Sequence, residues 1–350
     1  MAFEVVEVSS QKEMQAFNAF PRLIYQGFYR APSFPVIERA SSLYDPLFGS
    51  VEAQPLLAVR NGFAVGRTAV GRHRAFSGGE MGFWGYFESL NDPSITAALV
   101  KAAACWLAAR GVNKMIGPVD LSPHERLGLL VEGFRGYHHP GMPYNPPYYA
   151  NLLAQCGMEE EINLFAFHYD LRRPVPVRLA RVATRIGRMR GLHVRRINFG
   201  DLAGEGEMYS QIHNGSMNEI WGFVPLSPEE GSAIWRNLRG FYDPDLILVA
   251  EIDGKAAGLC LAMCPTKRTA FAARLSARLA VLAVLPQYRL KGLEAALILE
   301  CIRRARLKGI TGMELSLVAE NNVMMNKIIQ NLAGVEKNKI YKIYKFSHFY

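Results

Sequence analysis

Apolar residues alternate with other residues on both sides of Asn61-Gly62, and again on both sides of Asp253-Gly254. Both central positions of a two-residue strand connection need positive φ, which Asn, Asp and Gly tolerate, so each pattern predicts a β-hairpin. The two segments share the pattern A-x-x-[ND]-G-x-A-x-G, from Ala58 to Gly66 and from Ala250 to Gly258, at an offset of 192. A second pair matches at an offset of 198: Ala97 to Met115 with Ala295 to Met313. Each predicts a helix closed by glycine after a basic residue (Arg110-Gly111, Lys308-Gly309), then a strand. A third pair sets Leu152 to Glu159 beside Ile329 to Glu336, each a helix end, a glycine and a β-rich run. Each half thus reads strand, one or two helices, hairpin, strand, long helix, strand, helix, strand. Three matches in one order predict a duplicated α/β (α+β) domain, with residues 1–172 as the first copy and 173–350 as the second.

Charge sharpens the boundary. The net charge is +9, and nine arginines fall between Leu171 and Gly200 with no acid among them. Removing those nine from the 40 basic residues leaves 31, equal to the 31 acids. The chain is therefore neutral apart from one basic belt where the repeats meet. Within Val175 to Arg190, Leu179, Val182, Ala183, Ile186 and Met189 recur at helical spacing, with Arg178, Arg181, Arg185 and Arg188 on a neighbouring face. This amphipathic helix has four readings. It could pack between domains, touch an anionic membrane surface, touch nucleic acid, or attract an acidic cofactor. No recognisable nucleic-acid module accompanies it, and no aromatic anchor lies on the helix.

The five cysteines are odd in number, scattered and mostly apolar in setting, so no disulfide framework is expected. Cys260 and Cys264 lack a following His/Cys pair, and read as buried small hydrophobes rather than zinc ligands. The first ten residues lack the basic start and apolar run of a signal peptide, and Leu279 to Leu285 is too short to span a bilayer. A cytoplasmic protein is the expectation, peripheral at the inner membrane face if the arginine helix meets lipid.

The strand Leu279 to Leu285 runs into Pro286-Gln287-Tyr288-Arg289-Leu290-Lys291-Gly292-Leu293, and a helix follows. A strand feeding a basic, glycine-containing turn at a helix start is an anion site, because the first-turn N–H groups and the helix dipole face the ligand. The residues Gly-Lys-Ser/Thr of a P-loop and the three glycines of a dinucleotide fingerprint are missing. Pro286, Tyr288, Arg289 and Gly292 resemble motif A of the GCN5-related N-acetyltransferase (GNAT) superfamily, whose backbone amides hold the pyrophosphate of coenzyme A. Glu294 departs from it, standing where a small residue is expected. Glu320-Asn321-Asn322 after a strand also resembles the family, which implies a contact of Asn322 with the pantetheine arm. The family's tyrosine general acid falls on Ile329 here, so that acid is missing or supplied from elsewhere. Most of residues 20 to 349 resemble tandem-GNAT bacterial proteins, through Ile116-Gly117-Pro118, Leu127 to Phe134 and, most specifically, Pro143-Tyr144-Asn145-Pro146-Pro147-Tyr148-Tyr149. Bacterial ceramide synthases, which N-acylate long-chain amino alcohols, look related. The resemblance implies two tandem GNAT domains, each a mixed, mostly antiparallel sheet flanked by helices.

At the 198 offset, Asn91, Asp92, Pro93 and Ser94 stand where Arg289, Leu290, Lys291 and Gly292 do, so the first copy has neither the glycine nor a cation and gains an acid. It is expected to be cofactor-free. Its distinctive part is an insertion at 118–149, stiffened by prolines and carrying His124, His138, His139 and four tyrosines. That insertion reads either as a structural lid or as a wall of the acceptor pocket.

The expected activity is an acyl-CoA-dependent N-acyltransferase acting on a primary amine, a small molecule or a lipid-like one, with acetyl-CoA or a longer acyl-CoA as donor and no metal. The cofactor residues expected are Ala283, Val284, Leu285, Arg289, Leu290, Lys291, Gly292, Leu293 and Asn322. Backbone N–H groups at 283–285 would polarise the thioester. Candidate bases are Glu219, Glu251 and His139; candidate acceptor contacts are Tyr144, Asn145, Tyr148, Tyr149 and Trp221. The rival reading is a catalytically inactive acyl-CoA-binding or scaffold protein.

Overall fold

The computed structural model describes residues 3–26, 51–120, 122–266 and 276–347. The chain divides into two compact units. The first comprises Met1–Leu164 with Lys339–Tyr350, the second Phe165–Asn338.

The first unit contains β1 (Glu4–Glu7), α1 (Gln11–Ile24), β2 (Val51–Arg60), β3 (Phe63–His73), β4 (Gly82–Ser89), α2 (Pro93–Ala108), β5 (Lys114–Gly117), β6 (Leu129–Glu132) and α3 (Tyr149–Gln155). Its strands run in the order β1-β2-β3-β4-β5, with β4 and β5 parallel. The sheet is then completed by the latter part of β13 (Val335–Ser347), which pairs antiparallel with β5 and with β6. The second unit contains α4 (Val177–Ile186), β8 (Leu192–Arg196), α5 (Leu202–Ser216), α6 (Pro228–Leu238), β9 (Ile247–Ile252), β10 (Lys255–Met263), β11 (Ser276–Val284), α7 (Leu293–Leu307), β12 (Gly312–Ala319) and α8 (Val323–Gln330). Its order is β8-β9-β10-β11-β12, followed by the latter part of β7 (Glu159–Asp170). Each sheet therefore takes its last strand from the end of the other sequence repeat. A cut between residues 172 and 173 assigns both of those strands by sequence alone, which is why it differs from the units.

The hairpins form as the pattern predicts. Asn61 and Gly62 have φ 51° and 80°, Asp253 and Gly254 φ 50° and 75°, and the flanking pairs Arg60↔Phe63 and Ile252↔Lys255 close directly over them. Gly111 and Gly309 close α2 and α7 at φ 76° and 73°, where a Cβ would be strained.

In the second unit, alternation along β10 separates two cores. Cys260, Ala262 and Cys264 face α7, while Leu259 and Leu261 face α5 and α6. Cys301 of α7 joins the first set, so three of the five cysteines serve as small buried hydrophobes. Trp235 of α6 is fully buried in the second core, and its indole N–H donates to Glu205 O at 2.9 Å. The arginine helix α4 turns its apolar side inward: Ala183 and Ile186 are buried, and Leu179, with Val175 just before the helix, packs on the first core.

Candidate active site

The site is built where β11 leaves β12. The two strands pair in parallel only from Ser276↔Gly312 to Leu279↔Leu315, although β11 continues to Val284 and β12 to Ala319. A register shift against β10, with Leu261↔Val281 followed by Ala262↔Leu279, leaves Ala280 as an extra residue at that point. Such a bulge bends its strand, so β11 parts from β12 and a cleft opens between their C-terminal ends. Leu285 N–H donates to Ala257 O. By alternation Ala283 also faces β10, and the N–H of Val284 points away from it, toward the cleft. Of the three residues expected to polarise a thioester, Val284 is the one whose amide the ladder leaves available.

Beyond β11 the chain makes a 3₁₀ turn at Pro286–Tyr288 and enters α7 through Leu290 (φ 61°) and Gly292 (φ 98°). Gly292 is the N-cap, and no side chain caps the first turn. The amides that open α7 are thus left for an anion. A Cβ on Gly292 would lie 2.6 Å from Val182 Cγ1, so α4 packs directly against this turn. The first repeat has the opposite arrangement. Asp92 caps α2, accepting from Ser94 N–H at 3.0 Å and from Ser94 Oγ at 2.6 Å, and it pairs with Arg60 at 3.1 Å. A carboxylate already holds the place an anion would take.

The other expected cofactor residues divide by role. Arg289 is half-buried and its guanidinium is engaged by backbone carbonyls: Nη2 donates to Ser216 O at 2.5 Å and Nε to Val284 O at 3.2 Å. It ties the end of α5 to the end of β11. Lys291 is exposed, its Nζ 5.6 Å from the Tyr288 ring centre, and Leu290 is 92% exposed at the tip of the turn. Leu293 is buried in the core. Asn322 caps α8, accepting from Met325 N–H at 3.1 Å. Glu294 lies in the first turn of α7, where a carboxylate also favours the helix dipole. Ile329 is buried in the core and offers no hydroxyl.

The arginine anchor places the loop of residues 217–227 beside the cleft. A Cβ on Gly215 would lie 2.8 Å from Leu285 Cδ2, and Asn214 grips the far side of the loop through Leu226 N–H and O at 2.8 and 2.9 Å. His213 is buried, stacks on Phe223 and donates from Nε2 to Val224 O; burial holds its pKa below the ordinary histidine value. Trp221 is half-buried in this loop and Glu219 is exposed. Glu251 instead bonds to Arg195 Nε at 2.6 Å, and the same guanidinium holds Glu205 at 2.5 Å. Glu251 is thus held in an ion-pair cluster with Arg195 and Glu205.

Sequence reasoning missed a second carboxylate. At the fork itself Arg278 and Glu314 are register partners, and both side chains lie on the α5–α6 side. Glu314 is 2% exposed, Ser316 Oγ donates to its Oε1 at 3.2 Å, and Arg278 donates to Ser316 Oγ and O at 3.1 and 3.2 Å. The available signal was a charged residue and a serine two apart in the otherwise apolar run Met313 to Val318.

The remaining candidates lie in the first unit, where they form a buried polar core. Tyr149 is fully buried and its hydroxyl donates to Glu88 Oε2 at 2.7 Å while accepting from Ser89 N–H at 2.9 Å. Ser89 pairs with Gly66 as Val284 pairs with Gly258, so it is the first repeat's counterpart of Val284. Tyr148 Oη donates to Ser89 O at 2.8 Å. The insertion therefore fills the place that the second repeat leaves open. Asn145 clamps Leu130 through both backbone groups, and Tyr144 O accepts from Tyr25 Oη at 2.8 Å. His139 is buried, edge-on to Tyr137.

Burial pushes the Glu88 carboxyl up to about 7, opposed by Arg67 on the neighbouring strand. The folded value exceeds the unfolded one, so this group's stabilisation is complete below about 4.5 and is lost as pH rises through about 7. That is about 3 kcal/mol across the window. Glu88→Gln should flatten the dependence, as read from urea melts at pH 5 and pH 8; an unchanged slope would refute the assignment.

Comparison with known proteins agrees with this geometry. Residues 211–327 match the Acetyltransferase (GNAT) family. The chain is 28% identical over 370 residues to protein YghO of Escherichia coli, covering 96% of this chain and 93% of that protein. It is 27% identical over 376 residues to the bacterial ceramide synthase of Caulobacter vibrioides, covering 97% and 96%. In fold it is similar to a tandem GNAT protein from the clavulanic acid biosynthesis pathway, with TM-score 0.61 at 13% identity over 99% of this chain and 98% of that one. A GNAT protein from Sphaerobacter thermophilus gives TM-score 0.56 at 15% identity, over 99% and 95%. An uncapped helix start beside a strand fork, a segment matching the Acetyltransferase (GNAT) family over residues 211–327 and a neighbour of duplicated architecture lead to one conclusion: the chain has the tandem GNAT fold.

Proposed function

We propose that this chain is an N-acyltransferase that moves an acyl group from coenzyme A to a primary amine, and that the amine is lipid-like. The observation that carries the reading is the asymmetry of the repeats. The first has its helix start capped by Asp92 and its strand fork filled by Tyr149, and among the described residues the second has neither obstruction. The open site fits a thioester of coenzyme A. The amides at the start of α7 would hold its phosphates, and Asn322 lies at the opposite lip of the cleft. When bound, acyl-CoA supplies an activated thioester carbonyl. Val284 N–H would face the charge developing on its oxygen. The loop of residues 217–227, with Trp221, would orient the amine. Only a neutral amine attacks, so a base must take its proton; Glu314, reached through Ser316 Oγ, is the buried carboxylate at the fork. The lipid-like acceptor rests on similarity to the ceramide synthase along nearly the whole chain. Among the described residues no helix is long and apolar enough to cross a membrane. We place the protein in the cytoplasm, meeting a lipid-like acceptor at the inner membrane face.

Calorimetry with acetyl-CoA and palmitoyl-CoA tests the site, and thiol release over a panel of amines, including long-chain amino alcohols, tests the activity. No binding of either thioester would defeat the reading. Binding without thiol release would favour the scaffold alternative, for which the buried Ile329 is the supporting observation.

The two cations of the turn should behave differently. Lys291→Ala should weaken acyl-CoA binding by only about threefold, because an exposed charge is screened by salt. Arg289→Ala should weaken it by about tenfold or more, because two carbonyls lose a charged donor and the turn loosens. Binding isotherms at low and high salt separate these effects, with salt sensitivity reduced in the lysine variant only.

A further inference from the structure

Resting on the acyl-transfer reading, we propose that the arginine face of α4 docks an acidic protein that presents the acyl chain on a phosphopantetheine arm, so that the donor can arrive on a protein carrier rather than only as free coenzyme A. Four side chains make the surface: Arg178, Arg181, Arg185 and Arg188, all exposed. Among the described residues none of the four has a side-chain ion pair or hydrogen bond. Other arginines of the same unit are engaged, Arg304 with Glu300, Arg195 with Glu205 and Glu251, and Arg196 with Asp245. Arg178, Arg181 and Arg185 thus form a row of unpaired charge along α4, with Arg188 just past its end, in a stretch without a single acid from Leu171 to Gly200.

Position gives that charge a use. Val182 lies between Arg181 and Arg185 in sequence and packs on Gly292. The arginine face thus borders the turn whose free amides would receive the arm's phosphate. Its extent exceeds what a small ligand needs, since the helix from Arg178 to Ile186 spans about 12 Å before Arg188 follows. An acidic helix of a partner matches such a row in length and sign. Apolar side chains also stand exposed at its margins, Val177 at 71% and Leu290 at 92%. Exposed apolar side chains beside arginine are typical of protein interfaces. A bilayer fits less well. Insertion would need the apolar face of α4, and that face is already turned inward, with Ala183 and Ile186 buried and Leu179 packed on the core.

The test uses the whole chain and a variant combining Arg178→Glu, Arg181→Glu and Arg185→Glu, all at solvent-exposed positions, with circular dichroism to verify folding. The probes are palmitoyl-CoA and a palmitoylated bacterial acyl carrier protein. Binding of fluorescently labelled carrier protein is read by anisotropy at low and high salt, and transfer is read with each donor. We expect carrier binding that weakens with salt and drops at least about tenfold in the variant, with kcat/KM falling in parallel for the carrier-bound donor and changing less than about twofold for palmitoyl-CoA. Equal losses with both donors would assign the arginines to the coenzyme's own phosphates and overturn the proposal. So would absence of carrier binding by the unaltered chain, or arginine-dependent binding to phosphatidylglycerol vesicles in its place. Carrier binding without transfer from either donor would uphold the docking surface and defeat the acyl-transfer reading instead.

Discussion

Glu314→Gln should lower kcat by about a hundredfold while leaving the affinity for acyl-CoA unchanged. The substitution keeps the shape of the side chain and an oxygen that can still accept from Ser316 Oγ, now 3.2 Å away. What it removes is the capacity to accept a proton. The loss should therefore appear in kcat and not in the donor's dissociation constant, and the basic rise of the rate with pH should vanish or move. Ser316→Ala should cost about tenfold by interrupting the path from amine to carboxylate. Steady-state kinetics across pH, paired with calorimetry, checks both. A Glu314→Gln protein that turns over at the unaltered rate would move the search for a base to Glu219, the exposed carboxylate of the loop that follows α5.

The second large effect belongs to Gly292. Its φ of 98° excludes most side chains, and an added Cβ would lie 2.6 Å from Val182 Cγ1. Strain and overpacking together should cost Gly292→Ala about 3 kcal/mol of stability. They should also weaken acyl-CoA binding by more than tenfold, as the helix start is pushed out of line. Two controls divide the causes. Gly254 has φ 75° with no atom near its missing Cβ, so Gly254→Ala should show the strain alone. Val182→Ala in the Gly292→Ala background should recover the part due to the clash, which a double-mutant cycle measures. Full recovery of binding by Val182→Ala would show that φ is unimportant at this turn. No recovery would show that α4 does not confine it.

Much of this architecture was legible because it rests on local chemistry. Asn61-Gly62 and Asp253-Gly254 dictate their turns whatever surrounds them, and Gly111 and Gly309 end their helices for the same reason. The turn from Arg289 to Leu293 could be read as an anion site because a helix start carries its own electrostatics. Other features depended on what folding brings near. Arg289 reads as a phosphate ligand in one dimension, yet its guanidinium is taken by Ser216 and Val284 carbonyls. Glu251 reads as a free base until Arg195, 56 residues earlier, grips it. The tyrosines of the insertion suggested an acceptor wall, but Tyr149 fills the first repeat's own fork, a partner set by tertiary packing alone. Glu314 was concealed differently: its strand was expected, and the significance of a carboxylate there appeared only when β11 was seen to part from β12 beside it.

The exchange of closing strands has a consequence for biosynthesis. As the polypeptide leaves the ribosome, everything the second unit needs, Phe165–Asn338, has been made before the stretch from Lys339 that completes the first. The unit encoded first is thus finished last, and β5 and β6 wait with an unpaired edge while more than two hundred later residues are added. A premature stop just before Lys339 would then injure the amino-terminal unit rather than the carboxy-terminal one.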